Sequence, residues 1–231
     1  MKRYLAVTFA GLLLAGCDYV AHGPMQHETR SIPLEKAEVT RVDLKMGAGE
    51  LTVMGGSSNL LDATFDYNVA AWKPTVNYRS TGARGDLEIS QPEGGGRLGG
   101  HNQWDLRLNE SALMDVSAKL GAGEAKMNLG DLNLRSVEMN IGVGEVTVDL
   151  RGRTPARSYD VRINGGVGQA NVHLPRDVAI DATAQGGLGE VLVQGLEKRG
   201  DRWVNAAKLD APVTIRVDVK GGIGEIRLVA D

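Results

Sequence analysis

A short motif, Gly-x-Gly followed by an acidic or amide residue, recurs six times in this 231-residue chain. The copies comprise Gly47, Gly49 and Glu50; Gly121, Gly123 and Glu124; Gly142, Gly144 and Glu145; Gly166, Gly168 and Gln169; Gly187, Gly189 and Glu190; and Gly222, Gly224 and Glu225. Such recurrence indicates an internal structural repeat. No strand–loop–helix unit surrounds any copy, so the pattern favours a structural corner over a phosphate loop.

Apolar residues alternate with polar ones on both sides of the motif. Residues 42–46, 65–69 and 213–219 are examples. A period of two over four to eight residues indicates half-buried β-strands. We find no helical period beyond the N-terminal segment, and the 31 glycines supply turns. The sequence therefore predicts an all-β protein.

The phase of the alternation slips by one residue at each motif. Met139, Ile141 and Val143 share one parity, whereas Val146 and Val148 have the other. In a straight strand the two sets would lie on opposite faces. Both sets can reach one core only if the chain turns a corner or bulges at the motif. Glycine suits such a corner because it adopts positive φ angles freely.

The spacing of the motifs predicts stacking. From the second copy onward, the first glycines lie 21, 24, 21 and 35 residues apart. A period in the low twenties is typical of a β-solenoid, whose coils stack about 4.8 Å apart. We therefore predict a short stacked β-solenoid over residues 116–231. The gap of 35 contains an excursion at 196–212, which we predict to be a hairpin.

The volumes next to the glycines suggest which side chains fill the core. Large residues precede the first glycine in the early copies, as at Met46 and Leu120, but glycine does so in the later ones. The residue between the glycines grows correspondingly, which close packing would require of one shared interior. We therefore expect the intervening residues to stack inside the core; they are Ala122, Val143, Val167, Leu188 and Ile223.

The residues that follow each second glycine should form a column on the outside of the corner. Carboxylates about 4.8 Å apart repel by roughly 1 kcal/mol in water. Free backbone N–H groups, nearby lysines or a cation could offset this repulsion. A calcium repeat is the alternative, but the spacing differs from the nonapeptide pattern and Gln169 is neutral. We expect no metal site and no cofactor, because His22 and His27 lie on an aperiodic segment without partner ligands.

The N-terminus resembles a bacterial lipoprotein signal. Lys2 and Arg3 precede a short apolar segment, and Leu14-Ala15-Gly16-Cys17 resembles a lipobox. This predicts a signal peptide over 1–16, acylation of Cys17 and a flexible tether over 17–36. The protein would then be exported and held by membrane lipid on an extracytoplasmic face, with inner and outer membrane both open. Cys17 is the single cysteine, so no internal disulfide can form.

Residues 37–115 contain one corner and longer strands, and we predict an antiparallel sheet that caps the first coil of the solenoid. The stretches MGAGELTVMGGSSNLLDATFDYN and WKPTVNY resemble the N-terminal module of the toast-rack family of bacterial envelope proteins. GGLGEVLVQGL and GGIGEIRL resemble the β-solenoid of adhesin-like domains. The resemblance implies a stacked β fold and an envelope location, and it implies no catalytic residues.

Three non-catalytic functions fit these features. The first is a membrane-anchored scaffold or interaction module of the cell envelope, with an envelope-stress response as a candidate pathway. It would contact an envelope protein through Arg199, Arg202 and Trp203. Trp203 could equally fold back over an open side of the solenoid. The second is an adhesin-like or glycan-binding surface protein. The third binds a small amphiphile between cap and solenoid, lined by Trp72 and Trp104.

Enzyme and nucleic-acid-binding classes are disfavoured. Nucleophilic catalysis needs a Ser or Cys beside a histidine base and an acid that orients the histidine. His173 should instead lie on the solvated outer face of a strand. Loss of Lys2 and Arg3 with the signal would change the net charge from −3 to −5, which does not favour a nucleic-acid partner. The sequence does not indicate the oligomeric state.

Overall fold

The computed structural model describes residues 23–92, 99–208 and 210–231. The predicted signal peptide, the predicted acylation site Cys17 and His22 lie outside the described residues. The described chain forms thirteen strands. They are β1 (Gln26–Ile32), β2 (Val39–Ser57), β3 (Leu61–Tyr67), β4 (Thr75–Thr81), β5 (Arg84–Ser90), β6 (Asn102–Asn109), β7 (Leu113–Asn128), β8 (Asn133–Asp149), β9 (Tyr159–Leu174), β10 (Ala179–Gln194), β11 (Glu197–Arg199), β12 (Arg202–Val204) and β13 (Thr214–Ala230). Two 3₁₀ turns cover Ala70–Trp72 and Ala206–Lys208.

Six long strands, β2, β7, β8, β9, β13 and β10, each contain one Gly-x-Gly corner. The corner divides a strand into arm 1, before the glycines, and arm 2, after them. Leu44 and Met46 of arm 1 are buried in one cluster with Leu51 and Val53 of arm 2. The two arms therefore face each other across a dry core. The all-β, stacked-solenoid prediction and the parity slip are confirmed.

The spatial order of the coils differs from their order along the chain. The strand order is β1–β3–β6–β2–β7–β8–β9–β13–β10–β12–β11, with β5 also beside β2 and β4 beside β5. The C-terminal strand β13 pairs in parallel with β9 on one side and with β10 on the other. The last coil in space is thus β10, and the hairpin β11–β12 continues its arm 1.

The N-terminal cap extends each arm separately. β5 pairs with arm 1 of β2 and β6 pairs with its arm 2, both in parallel. The outer cap strands pair antiparallel, as β4 with β5, β3 with β6 and β1 with β3. The predicted antiparallel cap is present, but parallel strands join it to the solenoid.

β1 corrects the predicted tether over 17–36. Gln26–Ile32 is a strand paired along its whole length with β3. Its residues are mostly polar and exposed, so it carries no apolar period, and the neighbouring strand supplies its order. Glu28 accepts hydrogen bonds from Tyr67 Oη at 2.7 Å and Lys73 Nζ at 2.6 Å. These bonds fix β1 to the body of the cap.

The intervening corner residues do not fill the core, and that prediction is wrong. Val143, Val167, Ile223 and Leu188 are 55%, 46%, 52% and 70% exposed, and Ala122 is also exposed. They do stack one over another in register, but on the convex side of the bend. The concave side has no room at the apex, because the two arms converge there.

The lost core volume is replaced across the corner. The ideal Cβ position of Gly221 lies 3.3 Å from Ile226 Cδ1, and that of Gly186 lies 3.6 Å from Val191 Cγ2. In β9 the corresponding pair is Gly165 with Ala170, both small. A recess of about 20 Å³ remains beside them. Volume compensation therefore occurs in β13 and β10, between the residue before the first glycine and the fifth residue after it, and is absent in β9.

The glycines themselves are fixed by the stacking of backbone on backbone. A Cβ on Gly144 would overlap the carbonyl oxygen of Gly123, and a Cβ on Gly142 would overlap that of Gly121. Gly144 also has a φ of 138°, which side chains disfavour. Each coil therefore requires glycine in the next one.

We predict that Gly144→Ala destabilises the protein by at least about 3 kcal/mol, because steric overlap and an unfavourable φ act together. Gly165→Ala is the matched control. Its Cβ would meet Ile141 Cγ2 and Lys220 O at an ordinary 3.8 Å, so we expect a gain of about 0.5 kcal/mol. Urea unfolding of both variants measures this difference, and equal stabilities would contradict the stacking argument.

A second prediction concerns pH. Hydrogen bonds from Lys73 and then Tyr67 lower the pKa of Glu28 from its ordinary 4.5. A lowered pKa stabilises the fold above the unfolded value, and that stabilisation is lost as pH falls through the folded value. We expect Glu28→Gln to cost about 1 kcal/mol at pH 7 and to flatten the loss of stability below pH ~4.5. Unfolding at pH 7 and pH 3, with the exposed Glu35→Gln as control, tests this; identical pH slopes would contradict it.

Candidate functional site

The most distinctive surface is the convex edge of the corners. In spatial order it consists of Ala48, Ala122, Val143, Val167, Ile223 and Leu188, which we call the corner ridge. Adjacent members lie one strand spacing apart, about 4.8 Å, so the ridge extends over roughly 24 Å. Its side chains become larger toward β10, and Leu188 in β10 is the most exposed of them. The bare glycines on either side leave the aliphatic side chains prominent.

Polar columns flank the ridge on both arms. On arm 2 the column is Glu50, Glu124, Glu145, Gln169, Glu225 and Glu190, as the register pairs them. On arm 1 it is Lys45, Lys119, Asn140, Asn164, Lys220 and Gln185. The surface is thus an apolar line between an acidic rim and a basic-to-neutral rim.

Two of the five carboxylates in the acidic column, Glu124 and Glu225, form ion pairs with side chains two residues further along arm 2. Lys126 Nζ lies 2.7 Å from Glu124, and Arg227 lies 2.6 Å from Glu225. A hydrogen bond to Glu124 raises the pKa of Lys126. Asn171 Nδ2 donates to Glu145 at 3.0 Å. Nearby side chains of the protein therefore offset the repulsion between these carboxylates. Within the described ranges, no group of three or more His, Cys, Asp or Glu is arranged to hold a metal ion.

The two ends of the ridge differ. At the β2 end, Gln91 Oε1 accepts a hydrogen bond from the backbone N–H of Gly47 at 2.9 Å. Asn102 Nδ2 donates to the carbonyl of Ala48 at 2.7 Å. These two side chains satisfy the first corner where no further coil continues the stack. At the β10 end, Leu188 is the last and most exposed member.

The predicted contact of Arg199, Arg202 and Trp203 does not form a single patch. Arg202 and Trp203 are adjacent in β12 and so point to opposite faces. Trp203 is half-buried against the core, with Lys198 Nζ 5.3 Å from its ring centroid. Arg202 forms an ion pair with Asp181, and Arg199 lies 3.9 Å from Glu197. Trp203 covers part of the open side of the solenoid, as the second interpretation had it.

Other predicted residues have structural roles. Trp72 and Trp104 are fully buried, and Trp104 packs edge-to-face on Phe65 with ring centroids 5.5 Å apart. An amphiphile site lined by these tryptophans is therefore wrong, because they are packed core. His27 Nδ1 lies 2.7 Å from Asp66. His173 is half-buried in β9, opposite Asp149 and Val229.

The corner ridge is not among the sites that the sequence predicts. Its signal was present, because the residue between the glycines is aliphatic in every copy. From sequence alone, that pattern predicts a core position, which the structure contradicts. Among the described residues, no helix has the length and hydropathy needed to cross a bilayer.

Comparisons with known proteins match a family model and a solved structure. The family described as the N-terminal domain of toast_rack matches residues 21–173. A candidate cell adhesion protein from Clostridium sporogenes is 31% identical, with a TM-score of 0.86, over 90% of this chain and 100% of that chain. A candidate adhesin from Parabacteroides merdae aligns over 88% of this chain and 97% of its own at 11% identity, with a TM-score of only 0.28. The comparison with curated proteins gave no match.

Proposed function

Because the chain belongs to the toast-rack family, we propose that it is a non-catalytic, adhesin-like interaction module of the cell surface. The observation that carries the proposal is the exposed corner ridge, an unbroken line of aliphatic side chains on the outside of the fold. We assign the ridge as the contact surface and a protein as its ligand.

The ridge has the composition of a small protein interface. Single exposed aliphatic residues are common on protein surfaces, but a contiguous line indicates an interaction site. Interfaces have an apolar centre and a polar rim, and the Glu and Lys/Asn columns supply that rim. A partner with a shallow apolar groove would bury the ridge while the rims fix its orientation.

The comparison with the Clostridium sporogenes protein supports an adhesive role, since that protein is described in those terms and shares the fold at 31% identity. Glycan binding is supported less well than protein binding. Carbohydrate sites rely on exposed aromatic faces, whereas Trp72, Trp104 and Phe65 are buried and Trp203 is half-buried. The ridge itself contains only aliphatic residues.

Attachment to the membrane is the second part of the proposal. The lipobox-like Leu14–Cys17 stretch supports acylation of Cys17, which would hold the module at an extracytoplasmic face. At ~0.8 kcal/mol per buried CH₂, two or more acyl chains retain a protein on a bilayer. An envelope-stress role would follow from the family resemblance and would require a membrane protein as the ridge ligand.

Site-specific photo-crosslinking in intact cells tests the ridge. A photoreactive residue at Val167 should capture a discrete protein adduct, whereas one at Thr147, which faces outward on arm 2, should not. Introducing Ile223→Asp alongside the Val167 probe should reduce the adduct at least tenfold, because the charge would be desolvated in the contact. Equal adducts at the two positions, or none at Val167, would overturn the assignment of the ridge.

Cys17→Ser tests the anchor. We expect the parent chain to incorporate palmitate and to sediment with membranes, and the variant to lose the label and move to the soluble fraction. Asp18→Ser, which leaves the thiol in place, serves as the control. Retention of the unlabelled Cys17→Ser protein on membranes would contradict lipid anchoring.

A further inference from the structure

The last coil of the solenoid is finished on one arm only. On arm 1, Asp181 and Ala182 of β10 pair with β12, and β12 pairs with β11. On arm 2, Glu190–Gln194 pairs with β13 on one side, and in the described part of the chain no strand pairs with its other side. Arm 1 therefore extends two strands beyond arm 2. The end of the molecule is a step.

The unpaired part of β10 has core residues without a cover. Val191 and Val193 occupy positions that are buried in the neighbouring coil, where Ile226 and Leu228 are 3% and 0% exposed. In β10 both are only half-buried. Unpaired backbone groups beside half-exposed core side chains are the usual template for pairing with another strand.

Position 192 departs from its equivalents in the other coils. The register aligns Leu192 with Arg227 and then with Asn171, Thr147, Lys126 and Thr52, all polar. Leu192 is 36% exposed on the outer face of arm 2. The terminal coil is thus the one coil with an aliphatic residue at this outward position. Edges that must stay single are normally protected by charge, and beyond Glu190 the residues of this edge are uncharged.

We propose that a second copy of this chain covers the step. The two copies are related by a two-fold axis that runs parallel to the strands and lies between the two arms. The axis exchanges the layers, so that arm 1 of one copy continues arm 2 of the other. The two extra strands on arm 1 then fill the two-strand gap beyond the partner's arm 2. β11 of each copy pairs antiparallel with Glu190–Gln194 of the other, and both sheets become continuous at the normal strand spacing.

The alternatives fit the step less well. A two-fold axis perpendicular to the sheets would join arm 2 to arm 2 and bring both hairpins into the same layer. A single extended peptide could pair with arm 2, but it would leave the outer edge of β11 open. The layer-exchanging dimer is the arrangement that pairs both edges at once.

The side chains at the junction are compatible. Ala182 pairs with Trp203, and Trp203 pairs with Lys198, so these three residues lie side by side across the strands. Because Ala182 and Val193 lie at similar distances from the corner, Lys198 comes opposite Val193 of the other copy. Arg199 then faces Leu192, and Glu197 faces Gln194. No like charges oppose one another. The Lys198 ammonium retains its contact with the Trp203 ring.

The size of the contact predicts a moderate affinity. Strand rise and sheet spacing give an end face, including the step, on the order of 500 Å² per partner. Stable complexes bury about 800 Å² per partner, so we expect dissociation in the micromolar range. Anchoring in one membrane would raise the local concentration of the two copies.

Cysteine pairing tests the geometry in the full chain. Cells that express one tagged copy with Leu192→Cys and a differently tagged copy with Arg199→Cys should form a mixed disulfide under mild oxidation. Thr147→Cys paired with Arg199→Cys is the matched control, and the parent chain reports any contribution from Cys17. A mixed disulfide no stronger than in the control, with both thiols accessible to maleimide, would overturn the proposal. Stronger Leu192→Cys self-pairing would establish the rejected arm 2 to arm 2 dimer instead.

A charge-swap series tests the energetics. Leu192→Lys should fold normally, because Arg227 and Lys126 occupy the same position in other coils, but it would face Arg199 across the junction. Sedimentation of the detergent-solubilised full chain should show dimerisation weakened at least tenfold. Adding Arg199→Glu should restore it, whereas Thr147→Lys should have no effect. Equal dimerisation of Leu192→Lys and Thr147→Lys, or no dimer of the parent chain up to about 500 µM, would contradict the proposal.

Discussion

The close approach of backbone to backbone at the corners determines the rest of this structure. From β7 onward, each coil bends where a glycine lies directly against the carbonyl of a glycine in the neighbouring coil, with no space for a Cβ between them. The requirement passes from coil to coil, from Gly49 to Gly123, Gly144, Gly168, Gly224 and Gly189. A ribbon bent at one level can then fold back on itself, and its two arms enclose a core without a second domain or a disulfide.

The same bend creates the exposed surface. Because the arms converge on the concave side, the residue between the glycines must point outward, and stacking aligns these residues into the corner ridge. The acidic column follows from the same register, and its repulsion is offset locally by cations two residues away, such as Lys126 and Arg227. Fold and candidate interaction surface are therefore two consequences of one backbone geometry.

The order of the coils gives the molecule two different ends. The cap continues both arms beyond β2, and Gln91 and Asn102 satisfy the first corner. At the other end, insertion of β13 between β9 and β10 leaves β10 outermost, with a hairpin on one arm alone. The two ends thus present different edges, the polar outer strands β1 and β4 at the cap and the uneven arms of β10 at the other end.

The sequence was sufficient for what depends on local period and spacing. The parity slip located the corners, the spacing indicated coils, and the position after the second glycine located the acidic column. Three features could not be obtained in this way. β1 is polar on both faces and is ordered by β3 and by Glu28. Each coil offers an equivalent row of backbone hydrogen-bonding groups to its neighbour. The local sequence therefore does not specify that β13 pairs between β9 and β10 and leaves β10 outermost. The direction of Val143 and its counterparts depends on the lack of space at the apex, which volume patterns alone do not reveal.

Thiol labelling at neighbouring positions of one corner tests the central claim most directly. Single cysteines at Val143 and Val146 in β8 differ by three residues, and the structure places the first outside and the second in the core, at 55% and 0% exposure. Val143→Cys should react with maleimide at nearly the rate of an unfolded thiol, and Val146→Cys should react only on unfolding. Protection of Val143→Cys together with rapid labelling of Val146→Cys would mean that the chain bends in the opposite sense.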